Sequence, residues 1–177
     1  MLAVGMGSTQ ASAESAPFAA QIASGHLTKA QTAALKAEVD HYLKVTGGRQ
    51  AALNKIDIPG GEVLVAIPGE AHPRDFAGGN GMAAAVDHCL DPDQAINNGW
   101  FCAYPEDVFQ GTAVQWYACG TYPMNFVTHN GSWSNNQTRG RQARMYGKSG
   151  NLLYTTPGAY SSDAHGNWWS VWKVKPC

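Results

Sequence analysis

Charge is scarce in this chain. Of 177 residues only 14% are charged, and 12 basic against 13 acidic side chains leave a net charge of -1. Such a surface has no basic field to draw a phosphate backbone, which argues against nucleic acid as a partner. Long apolar runs are missing as well. None approaches the roughly 20 residues that a membrane-spanning helix needs. The signatures of common enzyme chemistry are also lacking: there is no HExxH, no GxSxG and no phosphate-cradling glycine loop. The six His, at 26, 41, 72, 88, 129 and 165, contain no i, i+4 pair. Asp91 and Asp93 stand close enough to pair as carboxylates, but Asp-Pro-Asp beside Cys89 has the composition of a turn. The expectation is a protein without catalytic chemistry, cofactor or bound metal.

Cysteine is nearly as sparse, and its placement is informative. Cys89, Cys102, Cys119 and Cys177 are an even set confined to the C-terminal half. None belongs to a CxxC pair, and no His stands at zinc-finger spacing from them. In an oxidising compartment they form two disulfides, and three connectivities are open. Cys89–Cys102 with Cys119–Cys177 is favoured, because the first ties a linker to a strand and the second anchors the C-terminus. The opening residues agree with export. Ala11-Ser12-Ala13 has the small-x-small form of a cleavage site, and the apolar residues before it read as the end of a signal peptide. Residues 1–13 are therefore expected to be a signal peptide remnant, and the protein to be secreted.

Aromatic residues are distributed unevenly. All six Trp and six of the seven Tyr follow residue 99, leaving only Tyr42 before it. The shift divides the chain into an N-terminal unit over 14–68, a linker over 69–88 and a second unit over 89–177. In the first unit, Thr28 with Gln31 forms a capping box, Leu35, Val39, Tyr42 and Leu43 make one apolar stripe, and Gly47 or Gly48 stops the helix. QAALNKIDI and EVLVAI then flank Pro59-Gly60-Gly61 as the arms of a β-hairpin, with Val63, Val65 and Ile67 on one face. This unit is small for a core of its own, so it either docks on the second unit or is detachable. The second unit is a string of short aromatic segments, GWFCAY, TAVQWYAC, SWSNN, QARMYG, NLLYTT and WWSVWKV, broken by turn residues. That pattern predicts an antiparallel sandwich or barrel whose core takes most of the Trp. Trp168 and Trp169 cannot both point inward along one strand, so one of them should be exposed or covered by the N-terminal unit.

One stretch carries a folding motif. Tyr104-Pro-Glu-Asp-Val-Phe-Gln-Gly111, with Phe109 inside it, resembles the aromatic-x6-Gly hairpin of βγ-crystallin Greek keys, in which the Tyr104 ring packs beneath the turn and Gly111 takes a positive φ. Trp133-Ser-Asn-Asn-Gln-Thr-Arg-Gly resembles the segment where such Greek keys place their final strand. A second hairpin beginning at Tyr146 has Leu153 where glycine is expected, so it has degenerated. The FCAY strand, the Tyr-x-Cys-Gly strand end, GSWSNNQT and the terminal Cys together resemble a family of secreted actinomycete proteins classed as peptidase inhibitors, relatives of a crystallin-fold metalloproteinase inhibitor. The resemblance implies a mainly β protein: a βγ-crystallin-like Greek-key β-sandwich preceded by a small helix plus β-hairpin unit. Its implied activity is inhibition of an extracellular peptidase.

No inhibitory loop of that family maps onto this chain residue by residue. The candidates are two loops, TYPMNFVTHNG and TTPGAYSSDAHGN, and in the first Met124, Asn125, Phe126 and Val127 are the expected contacts; core packing is the competing role for Met124, Phe126 and Val127. The crystallin calcium pattern, aligned on Asn135-Asn136-Gln137-Thr138, has Arg139 where a hydroxyl ligand belongs, which disfavours a cation. Exported proteins rich in Trp and Asn also bind sugars, so a cell-wall glycan is the alternative partner, and a crystallin-fold antimicrobial protein is a third. The cysteine reading is directly testable. Thiol titration of the denatured, unreduced protein should find no reactive Cys. Reduction should destabilise the second unit by about 2–5 kcal/mol.

Overall fold

The computed structural model describes residues 18–78, 81–90, 99–124 and 130–177. The first 17 residues, including the expected signal segment, lie outside them. A short helix α1 (Ala19–Ser24) precedes α2 (Lys29–Thr46). The capping box forms as expected: Gln31 N donates to Thr28 Oγ1 at 3.2 Å, and Thr28 N donates to Gln31 Oε1 at 3.1 Å. Leu35, Val39 and Tyr42 are buried, Leu43 packs beside them, and Gly47 ends the helix at φ 70°.

Three strands follow, β1 (Arg49–Ala52), β2 (Lys55–Ile58) and β3 (Gly61–Leu64). Pro59 and Gly60 turn β2 into β3 as expected. The first arm, however, is two strands rather than one. The chain reverses at Leu53 and Asn54, because the buried Asn54 amide donates to the Val65 carbonyl at 3.1 Å and the Arg74 carbonyl at 2.8 Å. The second arm is shorter than its sequence suggests, yet Val65, Ala66 and Ile67 stay buried after leaving the ladder.

The C-terminal half contributes β4 (Trp100–Tyr104), β5 (Ala113–Trp116), β6 (Tyr122–Pro123), β7 (Asn130–Asn136), β8 (Arg144–Tyr146), β9 (Leu152–Thr155), β10 (Ser161–Asn167) and β11 (Lys173–Lys175). The protein is mainly β, with two antiparallel sheets and a small helical part. One sheet has the order β1-β2-β3-β5-β4-β7-β10 and the other β6-β11-β8-β9. β3 pairs with β5 from Gly61↔Trp116 to Leu64↔Ala113, so the N-terminal hairpin extends the same sheet. Two expectations are corrected here. TTPGAYSSDAHGN is not a free loop, since Ser161–Asn167 is the strand β10, paired with β7 across a bulge between Asp163 and Gly166. WWSVWKV yields only the short β11, because Trp168 to Ser170 form a turn in which Ser170 has φ 65°.

Between the sheets lies one core. Ile56 and Val63 from the hairpin, Phe101, Val114, Trp116 and Trp133 from the first sheet, and Met145 and Val174 from the second belong to it, with Leu35 and Val39 of α2. Each such side chain contributes about 1.5–3 kcal/mol when fully withdrawn from water. Trp168 is buried and Trp169 is 59% exposed, so the doublet divides as expected, though in a turn rather than a strand. Among the described residues of the segment over 69–88 there is no ladder beyond the isolated bridge Arg74↔Ala84. It is nonetheless packed, with Phe76 buried and Arg74 paired to Glu70.

The Tyr104–Gly111 hairpin folds back onto the outer face of the large sheet. The Tyr104 ring is buried and meets Phe109 edge to face, with centroids 5.7 Å apart. Ser132 of β7 clamps the turn, donating to the Glu106 carbonyl at 2.7 Å and accepting from Phe109 N at 2.8 Å. Gly111 takes φ 82°, and a Cβ there would lie 3.1 Å from Glu106 Oε1. Gly111→Val should therefore destabilise the protein by about 1–3 kcal/mol, because a β-branched residue is an outlier at such a φ. Gly78→Ala, in an exposed bend, is the comparison and should leave the melting temperature within about 1 °C of wild type. Equal melting temperatures for the two variants would contradict this role of Gly111.

Candidate functional site

The two disulfides pair as favoured from the sequence, Cys89 with Cys102 and Cys119 with Cys177. The first fastens the segment before β4 to the outer face of the large sheet, where Leu64, Tyr104 and Ala113 form a second, smaller apolar cluster. The second closes a separation of 58 residues beside β6. No free cysteine is present among the described residues.

The predicted contact loop connects β6 to β7. Met124 is buried in the main core, and its backbone N donates to the Trp172 carbonyl at 2.8 Å. Met124 thus takes core packing, the role that competed with contact in the sequence reading. Asn125, Phe126 and Val127 lie outside the described residues. The stems on either side are held firmly. β6 pairs with β11 at Tyr122↔Val174 and Pro123↔Lys173, and β7 opens at Asn130, paired with Asn167. Cys119 sits just before the first stem.

Tyr104, Phe109 and Gly111 come together as the folded hairpin, and all three act structurally. Their strongest polar partner, Asp87, is not evident from the sequence. The Tyr104 hydroxyl donates to the Asp87 carboxylate at 2.8 Å, and Cys89 N donates to it at 2.9 Å. Burial pushes the Asp87 carboxyl above the ordinary carboxylate range, against the hydrogen bonds from Cys89, Tyr104 and Leu90 that pull it down. Burial and the Asp87 charge together push the Tyr104 phenol up, so it remains a neutral donor. Asp87, Cys89 and Cys102 are the one group of three close metal-ligating residue types among the described residues. Both sulfurs belong to a disulfide, so neither offers a thiolate.

The Asn135–Thr138 stretch is also built into the fold. Asn135 Nδ2 donates to the Arg141 carbonyl at 2.8 Å, and Asn135 Oδ1 accepts from Gln137 Nε2 at 2.9 Å. Gln137 Nε2 also donates to the Pro176 carbonyl at 2.6 Å. These amides hold the end of β7 to β8 and to the C-terminus. On the outer face of the large sheet, Glu62 lies 2.6 Å from Lys55 Nζ and 3.6 Å from His88 Nε2. Burial would raise the Glu62 carboxyl, but His88 and Lys55 outweigh it and hold the group below the usual range. His88 stacks on Trp100 with ring centroids 4.0 Å apart. Comparison of the chain with protein-family models, with curated proteins and with solved structures finds no match.

The two carboxylates impose opposite pH dependences. Asp87 holds its proton more tightly in the fold than in the unfolded chain, so its contribution to stability is greatest in acid. That contribution declines as pH rises from about 4 through the raised value. Glu62 behaves in reverse: its contribution is present above about pH 4.3 and is lost as pH falls through its lowered value. In melting temperatures recorded between about pH 3 and 7, Asp87→Asn should remove the decline on raising pH. Glu62→Gln should flatten the loss on the acid side. Curves running parallel to wild type would contradict both assignments.

Proposed function

We propose that this chain is a secreted inhibitor that blocks an extracellular peptidase with a rigid loop on a βγ-crystallin-type Greek-key β-sandwich. The observation that carries this reading is a reciprocal exchange of strands. In the large sheet β7, β4 and β5 are neighbours, and the third strand of that run, β6, lies in the other sheet beside β11. In the small sheet β11, β8 and β9 are neighbours, and β10 lies in the large sheet beside β7. In each run the fourth strand returns beside the first and the third is handed to the opposite sheet, an order that fits a Greek key. Together with the folded Tyr104–Gly111 hairpin, this supports the crystallin-type sandwich that the sequence resembles, and through it the inhibitor family. Two disulfides fit an oxidising compartment outside the cell. No helix among the described residues is long and apolar enough to cross a membrane.

Inhibition of this kind requires no chemistry from the chain. It requires a loop that occupies the peptidase cleft without losing much conformational freedom on docking. The β6–β7 loop meets the structural part of that requirement at both stems. Met124, next to the first stem, is seated in the core, and Asn125, Phe126 and Val127 supply one amide and two apolar groups for subsites. The test is a titration of thermolysin-like, subtilisin-like and papain-like peptidases with the purified protein. Residual activity of at least one class should fall linearly to zero near one equivalent. A Phe126→Ala, Val127→Ala double variant should weaken that inhibition by about 2 kcal/mol, roughly thirtyfold, at unchanged melting temperature. Full activity of all three classes in excess protein would refute the proposal.

A further inference from the structure

A second surface has the features of a ligand site. Where the edge strands β9 and β10 diverge, the two sheets leave a cleft of about 390 Å³. Trp133 lies at its floor, with its ring 6.1 Å from that of Tyr154. Tyr154 and Trp169 flank the opening, 43% and 59% exposed. Large rings left this open to water forgo burial that a small domain otherwise uses, so their exposure at one mouth calls for a reason. Asp163, His165 and Asn167 of β10 supply the polar groups of the same cleft.

The mouth is built to be rigid. Trp168 is buried and its indole N–H donates to the Tyr104 carbonyl at 3.0 Å, which pins the turn that follows β10. Trp169 N donates to Asn167 Oδ1 at 2.8 Å, and Val171 N donates to the Trp168 carbonyl at 3.1 Å. His165 Nδ1 lies 3.1 Å from Asp107 Oδ2. His165 N donates to Asp163 Oδ1 at 2.9 Å. Those bonds orient Asp163 and Asn167 while leaving Asp163 Oδ2 and Asn167 Nδ2 without a partner among the described residues. The cleft thus offers two aromatic faces, one open carboxylate oxygen as acceptor and one open amide as donor, all on an ordered frame.

We propose that this cleft binds a short neutral or amino-substituted glycan, stacked on Trp169 and Tyr154. The chemistry selects among ligand classes. A sugar ring presents C–H groups to an aromatic face and hydroxyls at its edge, and Asp163 and Asn167 are placed to hold those hydroxyls. An anionic ligand would meet the Asp163 carboxylate, and no Lys or Arg lines the cleft. A purely aliphatic ligand would bury the open carboxylate oxygen and amide without partners. The volume lies near the lower end of the range for small-ligand pockets, which suits a short oligosaccharide. The proposal rests on none of the residues assigned to the inhibitory contact and stands whether or not the chain inhibits a peptidase.

The test uses the full chain and three probe series: oligomers of N-acetylglucosamine, oligomers of glucosamine, and cello-oligosaccharides, with a lysine-containing peptide as a competing class. Calorimetric titration and Trp fluorescence should show saturable binding of at least one sugar series. Trp169→Ala and Asp163→Asn should each weaken it about tenfold or more. Leu152→Ala, an exposed apolar change outside the lining, should leave it unchanged. Melting temperature and near-ultraviolet circular dichroism should match wild type for all three variants, and Trp169→Ala should leave peptidase inhibition as it is. The proposal falls if no sugar series saturates at millimolar concentration. It falls equally if sugar binding survives Trp169→Ala, or if only the peptide binds.

Discussion

The pairing of β3 with β5 is the constraint on which the rest of this architecture depends. Without it β5 would be an edge strand, and the buried faces of Val114 and Trp116 would have no continuation. With it the hairpin of the first half becomes part of the large sheet, and α2 finds a surface for Leu35, Val39 and Tyr42. Neither half has an apolar face that closes on itself. A helix and hairpin of this size cannot bury enough surface alone, and edge pairing gives it a core to share. Gly131 shows how tight the common fold is: a Cβ there would stand 2.4 Å from the Tyr104 carbonyl oxygen and 2.5 Å from Trp168 Cδ1.

Polar groups do much of the fastening that charge does elsewhere. Ser132, Asn54, Asn135 and Gln137 are buried, and each is bonded to backbone carbonyls or amides of a distant segment. Such bonds add modest net stability but are costly to leave unmade, so they choose one register over its neighbours. This accounts for a composition rich in Asn, Ser and Thr at so low a charge. The same residue types that look like ligands in the sequence are the rivets of the sheet ends.

Much of the local structure is legible in the sequence, and the reason is range. The capping box of Thr28 and Gln31, the Pro59-Gly60 turn and the Tyr104–Gly111 hairpin are all set by residues within a few positions of one another. The division of Trp168 from Trp169 follows from the geometry of consecutive side chains. Features that depend on distant partners are hidden. β10 has the sequence SSDAHGN, with no apolar alternation, and is a strand only because β7 offers it a ladder. The first hairpin arm breaks at Asn54 because Val65 and Arg74 present carbonyls to its amide. Asp87 lies in a segment of Ala and Gly with no periodicity, and nothing nearby in the chain shows that it meets Tyr104. Nothing beside Met124 in the chain shows that its backbone N meets the Trp172 carbonyl, far along the chain. The cleft between β9 and β10 is hidden for the same reason, since its walls come from strands of both sheets and from a turn.

The exchange of β6 into the small sheet has a consequence for the order of assembly. Among the described residues the one ladder neighbour of β6 is β11, so Tyr122 has no ladder partner until Val174 is available. The large sheet can gather strand by strand as the chain lengthens, but the seating of Met124 on the Trp172 carbonyl waits for that residue. A growing or partly threaded polypeptide therefore presents the stretch around Tyr122 and Met124 to its surroundings as an unmet apolar surface. Folding that begins only once the whole chain is free, as after passage through a membrane pore, avoids that exposed interval.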